Sequence, residues 1–109
     1  MKNKRYCYVC ELKDEYVEKY SKLQKNQDME IVKAHKEVGI EELFIWIYKN
    51  MAIVFVECDD GERVHNALEK YEIVKKWDEK TIPWFKEDPA EAEKILDMNQ
   101  QLVGKLEKY

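Results

Sequence analysis

The chain has 109 residues, 45% of them hydrophobic and 39% charged, with a formal net charge of −4 at pH 7. That is enough for one modest core and an ordinary globular mixture, so residues 1–109 read as a single domain and not as a disordered segment. The acidic balance and the lack of a basic stripe argue against a nucleic-acid partner, and no apolar run is long enough to cross a bilayer.

The chain opens on a basic stretch, residues 1–5, but residues 6–12 are too short and too polar for the core of a secretory signal. Cytoplasmic residence without a membrane partner is therefore expected. The sequence has three cysteines, Cys7, Cys10 and Cys58. An odd count in a short chain is not a disulfide framework. Cys7 and Cys10 have metal-ligand spacing but sit in an apparent strand, where residues three apart point to opposite faces. No zinc set, nucleotide loop or nucleophile elbow is present, and neither a metal nor an organic cofactor is expected.

Residues 5–12 are aromatic and β-favouring and form the first predicted strand. From residue 16 to 38 the apolar positions turn helical, with Val17, Tyr20, Ile31, Ala34 and Val38 on one stripe. Gly39 suits a helix stop. Residues 43–49 and 51–58 alternate around Lys49 and Asn50, which predicts a β-hairpin with Asn50 at the positive φ of a tight turn. Both strands are apolar on both faces, so both faces need cover: helices on one side and a second subunit on the other. A helix is predicted from 62 to 71, with a further turn around 74–77 and a loop or extended segment at 81–85. Asp88, Pro89 and Glu91 have N-cap, N1 and N3 character and predict a helix start. The tail keeps helical spacing through Ile95 and Met98, while residues 102–109 also suit a short final strand. The order is that of a ferredoxin-like β-α-β-β-α-β sandwich, an α+β fold whose bare sheet face commonly closes against a second copy as a dimeric α+β barrel.

The residues carrying this order also resemble the L-rhamnose/L-fucose mutarotase family, its fucose-type members most of all. The resemblance runs through Lys4-Arg5-Tyr6-Cys7, Glu18-Lys19-Tyr20, Val38-Gly39-Ile40, Ile45-Trp46-Ile47, Val56-Glu57 and Trp77. It is carried more by spacing than by identity and is weak over the last thirty or so residues. It implies a cofactor-independent homodimer that binds a free sugar and interconverts its anomers. One group would protonate the ring oxygen and another would take the anomeric hydroxyl proton.

Family members carry a Tyr, a His four residues on, and a Trp-Pro-Glu after four more. The matching positions here are Tyr20, Gln24, Asp28, Met29 and Glu30. The resemblance therefore puts Gln24, Asp28 and Glu30 at the catalytic positions, although a carboxamide neither gives nor takes a proton near neutrality. It puts Tyr20, Trp46, Glu57 and Trp77 in the sugar site. The single Trp77 followed by Asp78 suits the fucose type.

Each of these residues also has a plainer reading. Asp28 is favoured as the N-cap of a second helical segment. The stripe of Phe44, Trp46 and Tyr48 suits a core or dimer interface, Glu57 a solvated strand end and Trp77 a core position. His35 and His65, the two histidines, are expected on solvated helix flanks. Besides a deoxyhexose mutarotase, a family member that binds a sugar or small ligand without turnover fits the altered position 24. A small monooxygenase on the same barrel scaffold ranks below both, because no cofactor motif accompanies it.

Overall fold

A computed structural model describes residues 3–100. Strand β1 (Lys4–Glu11) is followed by a 3-10 turn (Asp14–Tyr16), helices α1 (Val17–Lys25) and α2 (Met29–Glu37), and the hairpin strands β2 (Glu42–Tyr48) and β3 (Met51–Cys58). Helices α3 (Gly61–Leu68) and α4 (Glu72–Thr81), a 3-10 turn (Ile82–Trp84) and a short β4 (Ala90–Glu91) complete the path. The sheet is antiparallel with order β2-β3-β1-β4. This is the expected ferredoxin-like α+β arrangement.

Strand parity sorts the sheet into two faces. In β1, Cys10 and the following Leu12 are buried with Tyr20, Ala52 and Trp84 beneath the helices, while Tyr6 and Tyr8 pack beside Val56, Cys58 and Val64. Cys7 lies on the opposite face from Cys10, as the period of two requires. The open face carries Phe44, Trp46 and Tyr48, which are 48%, 54% and 65% exposed. They pair across the strands with Phe55, Ile53 and Met51. The Phe44 ring centroid lies 5.8 Å from that of Trp46 and 5.8 Å from that of Phe55.

The helical stretch is broken in two, as the N-cap reading of Asp28 expects. Asn26 leaves helical geometry at φ −122°, ψ 42°, and its side chain donates to the Lys22 carbonyl at 3.0 Å. Asp28 restarts the helix, its Oδ1 accepting from the Glu30 amide at 2.8 Å. At the far end of α2, Gly39 adopts φ 103°, and the Ile40 amide reaches back to the His35 carbonyl at 3.1 Å. Arg63 ties this corner to α3 by donating to the Val38 carbonyl at 2.8 Å.

Two local predictions need correcting. At the hairpin the positive φ belongs to Lys49, at 55°, and not to Asn50. Asn50 is used through its side chain, which donates to Glu11 Oε2 at 2.9 Å and to the Leu12 carbonyl at 3.2 Å. The predicted helix start at 88–91 is extended instead. Ala90 and Glu91 pair with Val9 and Tyr8, and the Ala92 amide donates to the Cys7 carbonyl at 2.7 Å. The free edge of β1 offers backbone partners that outweigh a cap worth about 1 kcal/mol. The fourth strand therefore comes earlier than predicted; residues 102–109 lie outside the described residues.

Candidate active site

A cleft of about 600 Å³ opens between the sheet and its helices. Its floor is Leu43, Ile45 and Val54, from the helix-facing parity of β2 and β3. One wall comes from α1 and α2 and the other from α3 and α4. A volume of this order suits a small molecule.

On the first wall Tyr20 is 3% exposed. Burial pushes its phenol above the ordinary tyrosine value, while the Gln24 carboxamide beside it pulls the other way. Gln24 is half-buried and accepts from Gln27 Nε2 at 3.0 Å. Gln27 in turn accepts from the Asp28 amide at 3.0 Å. His35 also lines this wall. Its Nδ1 sits 2.6 Å from the Ile31 carbonyl. A carbonyl only accepts, so Nδ1 carries the hydrogen and the free lone pair is on Nε2.

On the second wall stand Trp77 and Asp78. The Trp77 indole Nε1 is buried without a hydrogen-bond partner among the described residues. Such a donor is costly unless something in the cleft accepts from it. Asp78 is half-buried. Burial raises its carboxyl above the ordinary aspartate value; the His65 charge opposes this, Glu69 adds to it and His35 opposes it. His65 and Glu69 face each other at the rim, with Nε2 and Oε1 3.0 Å apart.

Of the seven residues expected in the site, the cleft gathers Tyr20, Gln24 and Trp77. Asp28 and Glu30 are not brought in. The helix break turns Asp28 into the exposed cap of α2, and Glu30 points outward to Lys33 Nζ at 3.5 Å. Asp28→Ala is accordingly expected to cost about 1 kcal/mol of stability and to leave ligand binding unchanged, read by thermal denaturation and by titration. Trp46 and Glu57 have the wrong strand parity for the cleft and lie on the open face. Glu57 there accepts from Arg5 Nε at 2.9 Å.

His35, His65 and Asp78 are the cleft residues that reading the sequence placed elsewhere or left without a role. A signal was available: His35 falls four residues after Ile31 and Asp78 four after Val74, on the stripes that helical spacing turns toward the sheet. Among the described residues no three His, Cys, Asp or Glu side chains converge to hold a metal ion, and no helix is long and apolar enough to cross a membrane.

An antiparallel 2-3-1-4 sheet with helices over one face and a mostly apolar cleft beneath them defines a ferredoxin-like α+β protein. The chain belongs to the L-rhamnose mutarotase family, whose model matches residues 5–102. No curated protein matches it in sequence. Among solved structures it is similar to an L-rhamnose mutarotase of Formosa agariphila at TM-score 0.68 and 21% identity, covering 87% of this chain and 98% of that one. The tetracenomycin F2 cyclase of Streptomyces glaucescens follows at TM-score 0.62 and 14% identity, covering 86% and 95%. A dimeric ferredoxin-like protein from an uncultured marine organism aligns at TM-score 0.57 and 13% identity, covering 89% and 95%. At these identities the structural likeness speaks for the fold.

Proposed function

We propose that the protein interconverts the α and β anomers of a free deoxyhexose pyranose, L-rhamnose or L-fucose, without a cofactor. The observation that carries this reading is the cleft itself, in a chain of the L-rhamnose mutarotase family. It presents the aromatic surfaces of Tyr20 and Trp77, and titratable groups on both walls. Aromatic faces suit the C–H surfaces of a sugar ring, and polar groups placed among them fix its orientation. The lone Trp77 followed by Asp78 favours L-fucose over L-rhamnose.

The test is saturation-transfer NMR on both sugars, with the protein at catalytic concentration. The expected result is anomer exchange well above the buffer rate for at least one of them. Exchange at the buffer rate for every deoxyhexose tried ends the enzymatic reading. One observation favours a second reading, in which a sugar is bound but not turned over. Gln24 stands where the family resemblance expects a proton-transferring side chain. Binding without exchange would select that reading.

The reading includes a homodimer closed through the open sheet face, which Phe44, Trp46 and Tyr48 would otherwise leave in water. It also includes residence in the cytoplasm, consistent with three free cysteines, two of them buried.

A further inference from the structure

This inference rests on the mutarotase reading and says which groups move the protons. We propose that Asp78 and His35, facing the cleft from α4 and α2, are its acid–base pair, in place of any residue at the Gln24 position. Both line the cleft along with Trp77. His35 is near enough for its charge to act on the Asp78 carboxyl, yet no hydrogen bond joins them among the described residues, and they do not form part of a metal-holding cluster. Both side chains line the cavity in which the reacting hemiacetal would bind. His35 is held by its Nδ1 hydrogen bond to Ile31, so only Nε2 exchanges protons. Gln24 offers a carboxamide, which does neither job. Asp28 and Glu30 lie outside the cleft.

The pair works with one proton between its two members. The Asp78 carboxylate takes the proton from the anomeric O1. The electrons of that O–H bond become the C1=O1 double bond as C1–O5 breaks, and O5 takes the proton from His35 Nε2. The aldehyde rotates about C1–C2. The two transfers then run in reverse, the ring closes on the other face of C1, and the pair returns to its starting state. No electron is lost and no third reactant is needed.

The charged groups around the pair set its pH dependence. His65 and Glu69 face Asp78 from α3, and Lys25 stands at the α1 rim of the cleft. Exchange should be bell-shaped in pH. The acid limb reflects protonation of Asp78 and lies above the ordinary aspartate range, because burial and Glu69 raise that carboxyl. The alkaline limb reflects loss of the His35 proton. Since the two groups interact, the apparent values belong to the pair.

The experiment measures exchange on L-rhamnose and L-fucose from pH 5 to 8 for wild type, Asp78→Asn and His35→Asn. The asparagine at 35 keeps an amide hydrogen for the Ile31 carbonyl while removing the titrating nitrogen. Each variant should lose about 100-fold or more in rate and one limb of the profile, with sugar binding, read from Trp fluorescence, retained. In parallel, the His35 ring is titrated by NMR in wild type and in Asp78→Asn. That titration should respond to removal of the neighbouring carboxylate. If wild type exchanges sugar and both variants stay within about threefold of it, or if the His35 titration does not move, the pair is not the proton carrier while the mutarotase reading stands. If wild type exchanges no sugar, both fall together.

Discussion

Trp46→Glu is expected to turn a dimer into a monomer at micromolar concentration while leaving the far-UV circular dichroism unchanged. Trp46 is 54% exposed on the open face and stands opposite Ile53 on the neighbouring strand. Sheet-on-sheet closure would bury it in an apolar layer about 10 Å thick. A carboxylate buried there without a cation to pair with it costs several kcal/mol. A two-fold interface repeats every substitution. At about 1.4 kcal/mol per factor of ten, the dissociation constant should rise by more than about 1,000-fold. Ile82→Glu is the control. Ile82 is exposed to a similar degree, at 61%, but lies in the 3-10 turn after α4, so the dimer should survive. Sedimentation velocity decides. A wild type that sediments as a monomer, or a Trp46→Glu variant that stays dimeric, removes this interface.

The second large effect is a gain. Gln24→His places an imidazole beside the Tyr20 hydroxyl, where the family resemblance expects a proton donor. A free imidazole titrates near about 6.5, so both its forms are present around neutrality. Against wild type the exchange rate should rise. Against Asp78→Asn, which lacks its own carboxyl, the gain should be larger and approach the 100-fold or so typical of one acid–base group. Gln24→Ala should change little, because a carboxamide transfers no proton. Exchange measurements on the two single variants and on Asp78→Asn/Gln24→His test this. If the histidine gives no gain in either background, the Gln24 position does not reach the reacting oxygens. Proton transfer then belongs to Asp78 and His35 without help from position 24.

What could be read from the sequence follows the range of the forces involved. The hairpin strands, the cap at Asp28 and the stop at Gly39 are set by residues within a few positions of one another, and each was legible. β4 was not. Ala90 and Glu91 are extended because they meet Tyr8 and Val9, some eighty residues away, and no local pattern announces that meeting. The site divides in the same way. Tyr20 and Trp77 were found through the family resemblance. Trp46 and Glu57 were assigned to the cleft although strand parity, legible from the alternation of Leu43, Ile45 and Ile47, puts them on the other face. Asp28 and Glu30 would have faced the cleft only on an unbroken helix. The two histidines were set aside as solvated because their immediate neighbours are charged. Their faces are defined three and four residues away.

The pairing of β1 with β3 also bears on the order of assembly. The β2–β3 hairpin turns within two residues and can form on its own in microseconds. β1 pairs from Glu11↔Met51 out to Lys4↔Cys58, so roughly forty residues or more must be looped before that contact forms. Long closures of this kind slow folding. Tyr20 packs against Cys10 and Leu12, so α1 has no seat until β1 has docked. The floor of the cleft can therefore exist before its first wall does. A ligand that needs both walls meets only the finished fold, and by mass action it would draw partly assembled chains toward completion.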